Sequence, residues 1–326
     1  MGMVRKDAVV VGGGPCGLSA AIELKQIGLD VVVIEKGNIV NSIYNYPTHQ
    51  TFFSSSIKLS IGDIPFITAI DKPQRNDALV YYRKVAELKE IAIHSFEKVE
   101  DVQRESKGFR VVTDKEEYFA EHVVIATGYY DNPNRLGVKG EDLPNVFHYF
   151  KEAHPFFGKK VVVIGGKNSS VDAALELERA GASVTVVYRG SDYSPSVKPW
   201  ILPGFDSLVR TGDIDMHFNA HVVAITESSV TVEQQGETFV IDNDYVFAMI
   251  GYHPDYTFLK SIGIATDEES GCPTFDEETM ETNVEGLFIA GVIAAGNNAN
   301  EIFIENGKFH GGMIARAIEA KQAIVK

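Results

Sequence analysis

Hydrophobic residues along this chain fall into short β-branched runs that are separated by longer segments with helical spacing. The short runs are apolar at successive positions, which is typical of strands buried within a parallel sheet. The longer segments place small and apolar residues on one side, as an amphipathic helix does. This alternation of strand and helix predicts an α/β fold. The predicted buried strands are residues 7–11, 30–34, 122–127, 160–164 and 183–188.

Two stretches depart from this pattern and alternate apolar with polar residues. Phe109–Thr113 and Glu117–Ala120 flank a polar turn and predict a β-meander, and a similar hairpin is predicted over residues 229–241. Each hairpin precedes a buried strand that closes on a glycine, at Gly128 and at Gly251. Both halves of the chain therefore contain a hairpin followed by a buried strand that ends at a glycine, which indicates two copies of one nucleotide-binding design.

The segment from residue 283 to residue 326 is too short for an independent domain. It contains a predicted strand at 286–291 and then a helix, on whose buried face we expect Phe309, Met313, Ile314, Ala317 and Ile318. We therefore expect it to complete the first domain, with the second domain inserted. The prediction is two Rossmann-type, three-layer nucleotide-binding domains, one formed by residues 1–129 and 250–326 and the other by residues 130–249.

The first predicted strand runs into a glycine-rich turn and then into a helix, in the pattern G-x-G-x-x-G. Gly12 makes the tight turn, Gly14 lets backbone approach a pyrophosphate, and Gly17 allows the helix to pack on the strand. Free N–H groups at the positive end of the helix face the phosphates. The next strand ends at Glu35, about 20 residues further on, where a carboxylate can hold both hydroxyls of an adenosine ribose. An ordinary βαβ unit would explain the glycines but not Glu35, so we expect a bound dinucleotide.

A second unit of the same kind begins at residue 160, with Gly165 in the position of Gly12. Lys167 replaces the second glycine and Ser170 the third, so a pyrophosphate has less room, although the Lys167 ammonium can contact phosphate. Arg189 stands at the end of the next strand in place of an acid. A guanidinium binds a 2′-phosphate bidentately, whereas a carboxylate would repel it, so this site is predicted to take NADPH. The alternative for Arg189 is a solvent-facing loop residue.

Lys and Arg number 30 and Asp and Glu 45, so the formal net charge is −15. This balance argues against nucleic acid and against an anionic membrane surface as partners, because both select basic faces. The 326 residues are enough for about two domains. Two distant cysteines, Cys16 and Cys272, predict neither a disulfide framework nor a zinc site. With no signal for secretion or membrane insertion in the sequence, we expect a cytoplasmic protein without a metal.

The ordered motifs together resemble the two-dinucleotide flavoproteins of the thioredoxin-reductase type, over nearly the whole chain. They are residues 12–17 with Glu35, residues 126–128, the unit at Gly165, and residues 282–291. Within that group, residues 14–17, 45–51 and 303–311 resemble the bacillithiol-disulfide reductases of low-GC Gram-positive bacteria.

The resemblance implies a homo-oligomer, a dimer or a tetramer, with FAD at the first site and NADPH at the second. It also implies NADPH-dependent reduction of a low-molecular-weight disulfide, with bacillithiol disulfide as the expected substrate, in thiol redox homeostasis. The expected FAD contacts are Gly12, Gly14, Pro15, Gly17, Glu35, Lys36, Thr127, Gly128, Gly291 and Ile304. The expected NADPH contacts are Gly165, Lys167, Asn168, Ser169, Arg189 and Gly251.

The chain departs from the thioredoxin-reductase pattern at two places. The redox-active C-x-x-C of those enzymes lies ahead of the second fingerprint, but residues 146–160 contain no cysteine, which argues against a thioredoxin reductase. Val292 stands where many relatives have an aspartate that contacts the flavin ribityl chain. We therefore expect the flavin to be held less tightly.

Cys16 is the predicted catalytic residue. It lies in the first turn of the helix after the first fingerprint, where the helix dipole lowers a thiol pKa, while a neighbouring pyrophosphate would raise it. If Cys16 acts, it attacks the disulfide and holds one half as a mixed disulfide. The alternative is a small packing residue beneath the phosphates. Cys272 is expected in a surface turn without a function, and none of His49, Lys58 and His310 is expected to be catalytic.

Two other functions stay open. A ferredoxin or flavodoxin NADP reductase has the same architecture and also lacks C-x-x-C, but its acidic protein partners would be repelled by a chain of charge −15. A non-catalytic flavin or NADPH sensor would bind both nucleotides without sustained NADPH consumption.

Overall fold

The structure, a computed structural model, describes residues 2–298 and 300–325, and the chain divides into two compact units. The first unit comprises the chain up to Asn132 together with the chain from Tyr252, and the second runs from Pro133 to Gly251. The chain changes unit a few residues beyond the predicted positions 129 and 249. Within the described ranges, no helix combines the length and the apolar character needed to cross a bilayer.

Strands and helices alternate along both units. The strands are β1 (Val4–Val11), β2 (Val31–Glu35), β3 (Ala92–Ser95), β4 (Val99–Glu105), β5 (Gly108–Thr113), β6 (Glu117–Ile125), β7 (Val146–Phe147), β8 (Lys160–Ile164), β9 (Ser183–Val187), β10 (Ile214–His217), β11 (Ala220–Ile225), β12 (Ser229–Gln234), β13 (Glu237–Asp242), β14 (Tyr245–Ala248) and β15 (Leu287–Ile289). The α-helices are α1 (Pro15–Gln26), α2 (Asn41–Asn45), α3 (Arg75–Leu88), α4 (Asn168–Arg179), α5 (Leu202–Thr211), α6 (Tyr256–Ser261), α7 (Ile304–Gly307) and α8 (His310–Val325).

The main sheet of the first unit has the strand order β3-β2-β1-β6-β5-β4. Strands β3, β2, β1 and β6 are parallel, whereas β4 and β5 continue the sheet as an antiparallel meander. β15 pairs in parallel with the end of β6, with Leu287 opposite Val123. The segment after residue 283 therefore does complete this sheet.

Helix α8 packs on α1, and a glycine makes their close approach possible. A β-carbon on Gly311 would lie 2.6 Å from the Cα of Ala20. Ile314 and Ile318 are fully buried, as expected from their spacing. The expectation for Phe309 was wrong: it precedes the first residue of α8, and its side chain is 64% exposed.

The second unit contains a parallel sheet of order β10-β9-β8-β14-β7 and a separate antiparallel sheet of order β11-β12-β13. The parallel strands repeat the arrangement of the first unit, with β8, β9 and β10 in the places of β1, β2 and β3. In both units the strand before the glycine turn is fully buried along its second half. The fold is α/β, with a Rossmann-type parallel sheet in each unit.

Candidate nucleotide-binding sites

The first glycine-rich turn connects β1 to α1, and two of its glycines are required by the packing of the protein itself. Gly12 has a φ of +109°, its N–H donates to the Ile34 carbonyl at 2.8 Å, and a β-carbon on it would lie 2.5 Å from the carbonyl oxygen of Ala126. A β-carbon on Gly17 would collide with the Gly12 carbonyl oxygen. These glycines allow the turn to be tight and the helix to lie against it.

Gly14 differs from its neighbours because the protein leaves open space in front of it. It caps α1 with φ −74° and ψ 175°, a backbone conformation open to any residue. A β-carbon there would have no neighbour within 4 Å among the residues that the structure describes. The folded chain alone does not require a glycine at this position. A phosphate that approaches the backbone at the start of α1 does.

Glu35, at the end of β2, holds the turn in place through both carboxylate oxygens. Oε2 accepts the Gly13 N–H and Oε1 accepts the Gly37 N–H, each at 2.7 Å. The side chain is 7% exposed, and its burial raises the pKa of Glu35 despite these two bonds. Each carboxylate oxygen has a second lone pair, so Glu35 can also accept the two ribose hydroxyls.

Thr127 and Gly128 follow β6 at the same edge of the sheet. The Thr127 hydroxyl is buried and has no hydrogen-bond partner in the part of the chain that is described. Gly128 has a φ of +69°, and a β-carbon on it would also point into open space. A buried hydroxyl without a hydrogen-bond partner, next to the space in front of Gly128, fits a site that binds a polar ligand.

Two other predicted FAD contacts lie elsewhere in the first unit. Lys36 forms an ion pair with Asp131 at 2.9 Å. Ile304 packs as an apolar residue at the start of α7.

Cys16 is the second residue of α1, and its side chain lies against two glycines. A β-carbon on Gly291 would lie 3.1 Å from the Cys16 Sγ, and one on Gly307 would lie 3.0 Å from it. The Gly291 N–H donates to Nδ1 of His310 at 3.1 Å, which leaves the ring proton on Nε2 when the ring is neutral. The structure therefore brings Cys16, Gly291, Gly307 and His310 together.

The electrostatics of this group favour neutral side chains. Burial, and then the carboxylate of Glu305, raise the pKa of the Cys16 thiol to about 12. The opposing influence of the α1 N-terminus, which the sequence left undecided, does not prevail, so the thiol is protonated at neutral pH. Burial lowers the pKa of His310, so its imidazole is also neutral.

The second glycine-rich turn connects β8 to α4. Gly165 has a φ of +134°, and a β-carbon on it would collide with the Met249 carbonyl oxygen, as happens at Gly12. Ser170 replaces the third glycine and is fully buried, with its hydroxyl donating to the Lys167 carbonyl at 2.7 Å. This bond explains how a serine fits at the position of Gly17.

The side chain of Asn168 binds the part of the chain that follows β9. Its Nδ2 donates to the Ser196 carbonyl at 2.9 Å, and its Oδ1 accepts the Lys198 N–H at 3.0 Å. The side chain therefore fixes the loop after β9 instead of reaching for a ligand, and its backbone N–H and that of Ser169 are left for a phosphate at the start of α4. Gly251, with a φ of +92°, accepts the Asn134 N–H at 2.9 Å.

The residue that corresponds to Glu35 in the second unit is Tyr188, which the sequence analysis missed. Val11 pairs with Ile34 in the first unit, and Ile164 pairs with Val187 in the second, so Glu35 and Tyr188 follow equivalent residues. The Tyr188 ring lies where a β-carbon on Gly166 or Gly190 would be. Arg189 is therefore one position further on and corresponds to Lys36; it is exposed. The spacing in the sequence gives the same answer, because 18 residues separate Gly17 from Glu35 and 18 separate Ser170 from Tyr188.

Each Rossmann-type unit has a glycine-rich turn and, at the end of the second strand, side chains that can distinguish a ribose hydroxyl from a 2′-phosphate. Two such units in one chain are typical of a dinucleotide-dependent oxidoreductase. In agreement, residues 9–291 match the family described as pyridine nucleotide-disulphide oxidoreductase. Over 322 residues the chain is 64% identical to bacilliredoxin reductase Bdr of Bacillus subtilis (strain 168), covering 98% of this chain and 99% of that protein. The chain belongs to the Bdr family of reductases, which confirms the resemblance seen in the motifs.

The solved structure of bacillithiol disulfide reductase Bdr (YpdA) from Staphylococcus aureus is 61% identical, with a TM-score of 0.96, and the match covers 98% of this chain and 100% of that one. A ferredoxin–NADP reductase from Ignicoccus hospitalis is 31% identical over 300 residues, 88% of this chain and 90% of that protein. The likeness to the thioredoxin reductase of T. acidophilum, at 23% identity and a TM-score of 0.78 over 98% of this chain and 99% of that one, concerns the fold alone.

Proposed function

We propose that this enzyme is a flavoprotein that uses NADPH to reduce a low-molecular-weight disulfide. The observation that carries the proposal is the chemical contrast between the strand ends of the two units. Glu35 offers a carboxylate to ribose hydroxyls, whereas Tyr188 and Arg189 offer an uncharged ring and a guanidinium. A free 2′-hydroxyl suits the first and a 2′-phosphate suits the second, so FAD is assigned to the first unit and NADPH to the second.

The first unit fits FAD through its own residues. Gly14 and Gly128 leave open space, the Thr127 hydroxyl lacks a partner among the described residues, and Glu35 retains lone pairs for a ribose. Bound there, the flavin would supply the means to accept a hydride and pass on an electron pair. Val292 adds no carboxylate beside it, which supports looser retention of the cofactor.

Cys16 is the proposed catalytic thiol. Its thiolate would attack one sulfur of the substrate, so that the substrate S–S bond breaks, a Cys16–sulfur bond forms, and the other half leaves as a thiol. Release of the second thiol takes an electron pair that originates from NADPH. Because the thiol is protonated at neutral pH, it must lose its proton when the substrate arrives, and the competing role for Cys16 is packing against Gly291 and Gly307.

Bacillithiol disulfide is the proposed substrate, by analogy with the named relative from Staphylococcus aureus. The name of the Bacillus subtilis relative supports a second candidate, an oxidised bacilliredoxin. We further infer a cytoplasmic homo-oligomer, a dimer or a tetramer, which light scattering after gel filtration would test.

The test is NADPH consumption by the purified protein with a panel of acceptors under anaerobic conditions. The panel contains bacillithiol disulfide, cystine, glutathione disulfide, oxidised bacilliredoxin and ferredoxin. Sustained consumption with bacillithiol disulfide is expected. Turnover with ferredoxin alone would replace the proposal by a ferredoxin reductase, and binding of both nucleotides without turnover of any acceptor would indicate a sensor.

A further inference from the structure

The chain between Gly307 and Gly311 lies along the face of α1 that begins with Cys16. A β-carbon on Gly307 would lie 3.0 Å from the Cys16 Sγ, and one on Gly311 would lie 2.6 Å from the Cα of Ala20. Positions 16 and 20 are about one helical turn apart, so they share a face of α1. His310, the first residue of α8, directly precedes Gly311 and is therefore held beside Cys16 by packing on both sides.

A hydrogen bond fixes the orientation of the His310 ring. The Gly291 N–H donates to Nδ1 at 3.1 Å, and the same glycine borders Cys16, because a β-carbon on it would lie 2.9 Å from the Cys16 Cβ. Burial lowers the pKa of His310, so the ring is neutral at pH 7. With Nδ1 occupied as an acceptor, a neutral imidazole carries its proton on Nε2. The ring therefore offers one donor and no free acceptor.

Two neighbouring donors already have acceptors within the protein. The Gly307 N–H donates to a backbone carbonyl at 2.8 Å, and the Ser19 hydroxyl donates to the Lys308 carbonyl at 2.7 Å. The Nε2–H of His310 has no hydrogen-bond partner in the part of the chain that the structure describes, and the residue is half-buried. Donors that are shielded from water are normally paired, so this N–H indicates an acceptor that forms during the reaction.

The proposed reaction places a negative charge on the Cys16 sulfur twice. Cys16 loses its proton, attacks the substrate disulfide and bonds to one half, while the other half leaves and takes up a proton. An electron pair that originates from NADPH then breaks the new S–S bond, the second half leaves as a thiol, and the Cys16 sulfur is again an anion. Burial and the Glu305 carboxylate both disfavour that anion, so it needs a hydrogen-bond donor.

We propose that the Nε2–H of His310 donates a hydrogen bond to the Cys16 sulfur when that sulfur is an anion. The inference rests on the proposed function, in which Cys16 is the attacking thiol. His310 acts as a donor and not as a base, because the Gly291 N–H occupies the nitrogen that would accept a proton. The Tyr46 hydroxyl is the competing donor, but in the described part of the chain it has no hydrogen bond to a residue that contacts Cys16.

Two variants separate the two nitrogens of the ring. His310→Asn keeps an acceptor for the Gly291 N–H and removes the Nε2 donor, whereas His310→Gln keeps a donor near the position of Nε2. The parent is the full-length, FAD-loaded protein with Cys272→Ser, in which Cys16 is the one remaining thiol. The rate constant for its alkylation by iodoacetamide at about pH 8 should fall roughly tenfold in His310→Asn and stay near the parent value in His310→Gln and in Tyr46→Phe.

The same variants are compared in disulfide turnover and in thermal unfolding. The kcat for bacillithiol disulfide should fall roughly tenfold in His310→Asn with an unchanged KM, and less in His310→Gln. Unfolding should show the opposite order, because His310→Gln gives up the bond to Gly291. Reactivity and stability that rank the two variants in opposite orders support the donor role.

A merely structural histidine would make reactivity follow stability, so a slower His310→Gln would overturn the inference. A parent alkylation rate and a parent kcat in His310→Asn would overturn it as well. A fall confined to Tyr46→Phe would assign the donor to Tyr46 instead. Full disulfide turnover in Cys16→Ala would contradict the proposed function, whatever the behaviour of the His310 variants, so the two failures are distinguishable.

Discussion

Replacement of Gly14 by alanine separates the ligand role of a fingerprint glycine from its folding role. Gly14 has a φ of −74°, and in the described part of the chain a β-carbon there meets no neighbour within 4 Å, so the added methyl group causes neither strain nor collision with these residues. A glycine-to-alanine change at such a position stabilises a protein by about 0.4–1 kcal/mol, because the unfolded chain loses freedom. Alanine is a poorer N-cap than glycine, which offsets this gain, so we expect Gly14→Ala to fold with a stability close to that of the unchanged protein.

In the proposed complex with FAD, the same methyl group would stand where the pyrophosphate approaches the start of α1. A phosphate pushed away from these N–H groups loses at least one charge-assisted hydrogen bond, which contributes about 1.5–3 kcal/mol. At about 1.4 kcal/mol for each factor of ten, the dissociation constant should rise by roughly 10- to 150-fold. Flavin lost on purification and restored on addition of excess FAD would be the visible sign.

Gly17→Ala is the matched comparison, because its β-carbon would collide with the Gly12 carbonyl oxygen. Overpacking of this kind costs about 1–3 kcal/mol or more, so this variant should lose stability even without flavin. The assay pairs thermal unfolding of the flavin-free proteins with FAD affinity from fluorescence quenching. Wild-type FAD affinity in Gly14→Ala would refute the reasoning, since no ligand would then approach this residue.

Three further predictions concern ionisable side chains. Arg189→Ala should raise the KM for NADPH roughly tenfold and leave that for NADH nearly unchanged, because only NADPH has the 2′-phosphate; equal effects on both would remove this role. Cys16→Ala should keep bound flavin but lose disulfide turnover, and undiminished turnover in this variant would make Cys16 a packing residue. In the unchanged enzyme, a turnover rate limited by ionisation of Cys16 should rise roughly tenfold per pH unit between pH 7 and pH 9, because the pKa of the thiol is about 12. Asp172→Asn should stabilise the protein by about 2 kcal/mol near pH 7. Burial raises the pKa of Asp172 above its unfolded value, to about 6, so the ionised carboxylate destabilises the fold above that pH. In urea titrations, the gain in free energy of unfolding should disappear below about pH 4, where the carboxyl group is protonated in both states.

The sequence was most informative where one residue type has one physical use. The β-branched runs predicted the parallel strands because strands buried on both faces need apolar side chains at every position. Gly12 was predicted to make the tight turn and Gly17 to let the helix pack on the strand, and the structure shows the backbone atoms with which a β-carbon at either position would collide. The meander at β5 and β6 followed from simple alternation of polarity.

Side-chain roles that depend on strand register or on residues far apart in the chain could not be predicted from local sequence patterns. Arg189 was assigned to the position of Glu35 with an offset of one residue, because the strand was predicted to extend to residue 188, whereas β9 ends at Val187. The side chain of Asn168 is used by the loop at Ser196, a contact that no local pattern indicates. The sign of the Cys16 pKa shift depended on burial beneath residues near Gly291 and Gly307, far along the chain.

The central claim is that one enzyme has two dinucleotide sites, one for FAD with a carboxylate at the adenosine ribose and one for NADPH with a guanidinium there. Anaerobic titration of the purified, FAD-loaded protein with NADPH and separately with NADH, followed by visible flavin absorption, tests it most directly. The account predicts complete bleaching of the flavin at about one equivalent of NADPH and a much slower response to NADH. A protein that takes up no FAD, or a bound flavin that NADPH leaves oxidised, would contradict it.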